Sequence, residues 1–67
     1  MRYQDKLGIV YYVAPIKKPE YDKPRYTIYC KVPGRKAEVY TALYSHEEMA
    51  IKELEECAQR NKWQRIE

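Results

Sequence analysis

The 67-residue chain contains no phenylalanine, one histidine, one serine, one tryptophan and two cysteines. Each scarcity excludes something. A lone His46 and a lone Ser45 cannot supply a nucleophile, a base and an orienting partner, and both fall where a helix is expected to start. No GxxxxGK, HExxH or GxSxG pattern occurs. There is no CxxC, and one histidine with two distant thiols cannot complete a usual zinc site. The chain therefore reads as non-enzymatic, with no cofactor and no metal. No apolar run approaches the roughly 20 residues of a membrane span. The opening Met1-Arg2-Tyr3-Gln4-Asp5-Lys6 has no apolar signal core. A cytoplasmic protein is expected, with Cys30 and Cys57 reduced and buried as small apolar residues.

What the chain does have is tyrosine, eight of them. A buried phenol needs a hydrogen-bond partner, so a core usually mixes in phenylalanine. All-tyrosine usage points to rings at a surface or interface. Charge is divided as well. Residues 1–36 hold nine bases and three acids, a net +6, with six of the tyrosines. Residues 37–67 hold four bases and seven acids, a net −3. A basic, tyrosine-rich part beside an acidic part points to binding. A chain this short buries only about 60% of its unfolded surface, which leaves little room for a deep pocket. It forms one domain, residues 1–67.

Residues 7–14 (LGIVYYVA) read as a strand that is apolar on both faces, so either Tyr11 or Tyr12 can look outward. Residues 15–24 carry three prolines and three lysines and read as an extended loop. Residues 25–32 alternate, with Tyr26, Ile28, Cys30 and Val32 on one face and Arg25, Thr27, Tyr29 and Lys31 on the other. Pro33-Gly34 sets a tight turn. Residues 36–44 alternate again and are expected to place Ala37, Val39, Thr41 and Leu43 inward, and Glu38, Tyr40 and Tyr44 outward. Ser45-His46-Glu47-Glu48 has the capping-box pattern and predicts a helix over residues 46–61. Its apolar stripe is Ala50, Ile51, Leu54, Cys57 and Ala58. Glu48–Lys52 and Glu56–Arg60 are suitably ordered i, i+4 pairs. Residues 63–66 are either a short fourth strand or an irregular tail. The irregular tail is favoured, because no glycine marks the helix end.

The expected fold is α+β: a three-stranded antiparallel meander with one C-terminal helix packed on one face. The other face is left open. The candidate site is Arg25, Tyr29, Lys31, Arg35, Lys36, Tyr40 and Tyr44. Tyrosines offer flat stacking surfaces, and the bases reach phosphates. The first expectation is a DNA- or RNA-binding protein. The second is an inhibitor or adaptor that binds a host protein through the sheet or the acidic helix face, as a small phage- or plasmid-type factor would. A homodimer through the sheet is the structural rival, since a contiguous aromatic face calls for a cover. Cross-strand tyrosine pairs that merely stabilise the sheet are the bland alternative. The layout resembles the sheet-plus-helix DNA-binding modules of a class of plant transcription factors and of some phage-type integrase arms. That likeness is architectural and implies DNA as the ligand.

Overall fold

The computed structural model describes residues 1–67. Its elements are β1 (Arg2–Gln4), β2 (Val10–Ile16), β3 (Arg25–Lys31), β4 (Glu38–Val39), α1 (Glu47–Asn61) and β5 (Gln64–Arg65). The strands form one antiparallel sheet in the order β4-β3-β2-β1-β5. The α+β class and the helix over one face hold, and the meander gains a strand at its start and another at its end.

The first strand lies later than expected, at Val10–Ile16, because residues 5–9 make a hairpin turn instead. Asp5 opens this turn and Gly8 closes it. The Gly8 amide donates to the Asp5 carbonyl at 3.1 Å, and Gly8 takes a φ of +86°. Asp at the first position and Gly at the fourth suit such a turn. Beyond it Arg2, Tyr3 and Gln4 pair with Tyr12, Tyr11 and Val10. Pro15 and Ile16 also belong to β2, opposite Tyr26 and Arg25, so the loop begins at Lys17.

The expected third strand shrinks to Glu38–Val39, with one further bridge at Tyr26–Tyr44. Its register also differs by one residue. Val39 faces Tyr29 and Glu38 faces Cys30. A one-residue shift carries every side chain to the other face. Val39 is therefore 50% exposed instead of core, and Leu43, past the end of the pairing, is 41% exposed. Between Tyr40 and Tyr44 the chain bulges, and the fully buried Thr27 hydroxyl shares its proton between the Thr41 and Ala42 carbonyls at 3.2 and 3.1 Å. That bond holds the bulge in place of ladder pairing.

The helix begins one residue later than the capping box predicts. His46 is the N-cap and makes no side-chain cap bond, while the Ser45 hydroxyl accepts from Arg25 at 3.4 Å. Arg60 meets Glu53 at 3.4 Å rather than Glu56. Ala50, Leu54, Cys57 and Ala58 are buried against the sheet, and Ile51 is half-buried. The helix ends without glycine because Lys62 itself adopts the left-handed conformation, with φ 57°. The Trp63 amide then reaches back to the Ala58 carbonyl at 2.9 Å. This exit drops the Trp63 ring onto Tyr11, with centroids 3.7 Å apart and planes 6° from parallel. The tail is consequently a strand, with Gln64 and Arg65 pairing with Gln4 and Tyr3.

The core is thin. Tyr11, Ile28 and Leu54 form its centre, and Tyr3, Ile9, Val13, Cys30 and Trp63 pack around them. The Tyr11 hydroxyl donates to the Asp5 carboxylate at 2.9 Å. Burial, and then that bond, push the phenol above the ordinary tyrosine range. A group whose pKa is raised on folding stabilises fully below its unfolded value, here about 10, and that contribution is lost as pH climbs beyond it. Urea midpoints measured across this range should therefore fall above about pH 10. Tyr11→Phe should flatten that fall while lowering stability at neutral pH through the lost bond to Asp5. A slope unchanged by Tyr11→Phe would place the alkaline sensitivity elsewhere.

Candidate functional site

Side chains opposite one another in an antiparallel sheet share a face. The helix covers the face of Tyr3, Tyr11, Val13, Ile28 and Cys30. The other face carries Arg2, Gln4, Val10, Tyr12, Ala14, Ile16, Arg25, Thr27, Tyr29, Lys31 and Val39. None of these is acidic. The shortest dimension of the molecule is 18 Å, which one sheet and one helix fill. No third layer covers this face, although the bulge at Thr41 and Ala42 folds over Thr27 at one edge. The accessible surface is 5079 Å², against roughly 4,500 Å² expected of a monomer of this mass.

The register builds a row across the open face: Arg2, Tyr12, Tyr29, Val39. The Arg2 guanidinium lies 4.4 Å from the Tyr12 ring centroid. Tyr12 and Tyr29 stack with centroids 5.8 Å apart and planes 22° from parallel. Val39 is next in the row, and no ring or guanidinium stacks on Tyr29 from that side. The aromatic stack therefore ends at the half-buried Tyr29, with the small side chain of Val39 beside it. Arg2 also meets Glu67 at 3.4 Å at the rim, an exposed pair of small energetic weight.

The seven residues singled out from the sequence divide among three places. Arg25, Tyr29 and Lys31 lie on the open face, but the Lys31 ammonium is turned into the neighbouring turn, donating to the Val32 and Arg35 carbonyls. Arg35 and Lys36 are in the turn beyond β3, beside Cys30, Val32 and Glu38. Tyr40 and Tyr44 are not on the open face. Tyr40 sets its ring edge-on to Tyr11 and Trp63, at 5.1 and 5.9 Å. Tyr44 is bridged to Tyr26, and burial, then the charge of Glu53, raise its phenol. The one-residue register shift accounts for Tyr40, and the bulge that precedes the Tyr26 bridge sets the place of Tyr44.

Arg2 and Tyr12 take their place. Arg2 was missed because β1 was missed, and the Asp5…Gly8 spacing is the signal that reveals it. The open face runs into the loop after β2 through Arg25, whose guanidinium sits 5.2 Å from the Tyr21 ring centroid. There Lys17, Lys18, Tyr21, Asp22, Lys23 and Pro24 line a hollow of about 210 Å³. Three ammonium groups around one carboxylate make this end of the face basic.

Chemically reactive groups are sparse. Cys30 and Cys57 are both free thiols. Burial, then donation to Glu53 at 3.2 Å, raise the Cys57 thiol, which leaves it a poor nucleophile. No three His, Cys, Asp or Glu side chains converge, and no helix is long and apolar enough to cross a membrane. The arrangement can stack, pair with anions and bury apolar surface. No family model, curated protein or solved structure matches the chain. The architectural likeness to plant and integrase modules thus has no counterpart among them.

Proposed function

We propose that this is a non-enzymatic binding protein that takes a single-stranded or unpaired segment of nucleic acid on its open sheet face. The observation that carries this reading is the Arg2–Tyr12–Tyr29 stack, on a face without a single acidic strand residue. A base laid on Tyr29 over Val39 extends the stack. Arg2 and Arg25 then lie within reach of the backbone, and Lys17, Lys18 and Lys23 continue the basic track. Stacking tolerates every base, so the recognition is of unpaired strand rather than of sequence. With Tyr40 and Tyr44 on the helix side of the sheet, the open face offers a short stack rather than a wide platform, which favours contact with few bases.

A second copy of the chain is a poorer cover. Face to face, it would set one basic surface against another, with no acidic strand residue on either to pair with Arg2 and Arg25. An acidic protein, bound in the manner of an inhibitor or adaptor, is the second reading. It is favoured by the apolar residues interspersed on the face, Val10, Ala14, Ile16 and Val39, among Arg2, Arg25 and Lys31. The cytoplasm is the compartment that suits two unpaired thiols.

Salt separates the two readings. Each phosphate neutralised on a single strand contributes a slope of about −0.7 in log K against log salt. Fluorescence anisotropy with a labelled single strand should show affinity falling steeply between about 50 and 200 mM salt. Absence of binding at the low end shifts the reading to the protein partner.

A further inference from the structure

Leu7 is 81% exposed, the most exposed large apolar side chain in the molecule. It stands third in the four-residue turn 5–8, at the tip of the β1–β2 hairpin, a place that turns usually give to Gly, Asn, Asp or Ser. Nothing in the fold uses its side chain. The backbone beneath it is nevertheless firmly held. One Asp5 carboxylate oxygen accepts from the Leu7 and Ile9 amides at 2.9 and 3.0 Å, and the other accepts from the Tyr11 hydroxyl. The Gln4 side-chain amide donates to the Gly8 carbonyl at 3.2 Å. Gly8 lies against the next turn, where an added Cβ would sit 3.8 Å from Pro33. The two turns thus form one end of the sheet, with Lys6 beside Leu7, and Arg35 and Lys36 just beyond Pro33. Asp5 is turned onto the tip's own donors, and Glu38 shares the helix side with Cys30.

We propose that Leu7 is a wedge that inserts between neighbouring bases of the bound strand, an inference that rests on the nucleic-acid reading of the sheet face. A rigid tip spends little conformational entropy on binding, so the apolar side chain is presented ready to insert. Leucine is among the side chains that proteins push between base steps to unstack them. The flanking phosphates of such a step then fall near Lys6 on one side and Arg35 and Lys36 on the other.

The test uses short single strands carrying 2-aminopurine at successive positions, since its fluorescence rises when its neighbours unstack. The wild-type protein should raise the signal at one position. Leu7→Ala should abolish that rise and weaken binding about tenfold, whereas Leu7→Met should keep both. The side chain is exposed, so both variants fold. A Leu7→Ala protein with the same affinity and the same rise overturns the wedge. Wild-type binding without a rise at any position also overturns it and leaves the sheet-face reading standing. Failure to bind any strand at low salt overturns both. In that case, Leu7-dependent binding to phosphatidylserine vesicles would assign the tip to a bilayer instead.

Discussion

Trp63→Ala is expected to abolish most of the cooperative fold. Trp63 lies outside every regular element, only four residues from Glu67, where a truncation looks harmless. Its ring nevertheless closes the core: it stacks on Tyr11 at 3.7 Å and meets Tyr40 edge-on. Removing a core tryptophan side chain costs about 3–5 kcal/mol, and the partly buried Trp63 falls toward the lower end of that range. A domain of this length has only about 3–10 kcal/mol in total. The loss also unseats β5 from β1, because Gln64 and Arg65 are delivered to their partners by the turn at Lys62 and Trp63. Far-UV circular dichroism with urea should show a midpoint near zero denaturant, or no cooperative transition. A variant that keeps most of the wild-type midpoint would mean that the helix and the β2–β3 pair suffice without this closure.

The second large effect separates two tyrosines that look alike in sequence. Tyr29→Leu should leave the protein folded and weaken single-strand binding by about 1–3 kcal/mol, the contribution of one stacked base. Leucine keeps an apolar side chain on the strand and removes only the flat ring. Tyr40→Ala should do the reverse. It removes two edge contacts at the rim of the core, from a ring that is 44% exposed, each about 0.5–1.5 kcal/mol, and touches nothing on the open face. The folded fraction of Tyr40→Ala should bind as the wild type does. Anisotropy titrations corrected for the folded fraction make the comparison. If Tyr40→Ala lost affinity while Tyr29→Leu kept it, the binding face would be the helix side rather than the open sheet face.

The exchange of these two residues shows where the sequence was legible. Residues 25–31 alternate cleanly, so Ile28 inward and Tyr29 outward followed from period two alone. The helical stripe of Ala50, Leu54, Cys57 and Ala58 was legible for the same reason. Residues 36–44 alternate equally well on paper, yet the side that faces inward depends on how many residues the turn consumes. The turn 32–35 takes one residue fewer or more than periodicity can say, and every side chain after it changes face. The bulge held by Thr27 then ends the alternation altogether. Lys62 is unreadable for another reason. A left-handed residue without glycine is tolerated because the Trp63 stack offsets its strain, a tertiary effect invisible in local propensity. By contrast, Asp5 and Gly8 were a legible hairpin signal that the apolar run of residues 7–14 concealed. With β1 hidden, Arg2 could not be placed beside Tyr12.

The central claim is that ligand occupies the open sheet face, and amide chemical shifts read it directly. An isotope-labelled sample titrated with a short single strand at low salt should show its largest shift changes at Arg2, Tyr12, Arg25 and Tyr29, and at the Lys17–Lys18 and Leu7 ends. Resonances of Glu48, Glu55 and Glu56 on the outer helix should stay fixed. Changes confined to the helix, with Tyr12 and Tyr29 unmoved, would contradict the account.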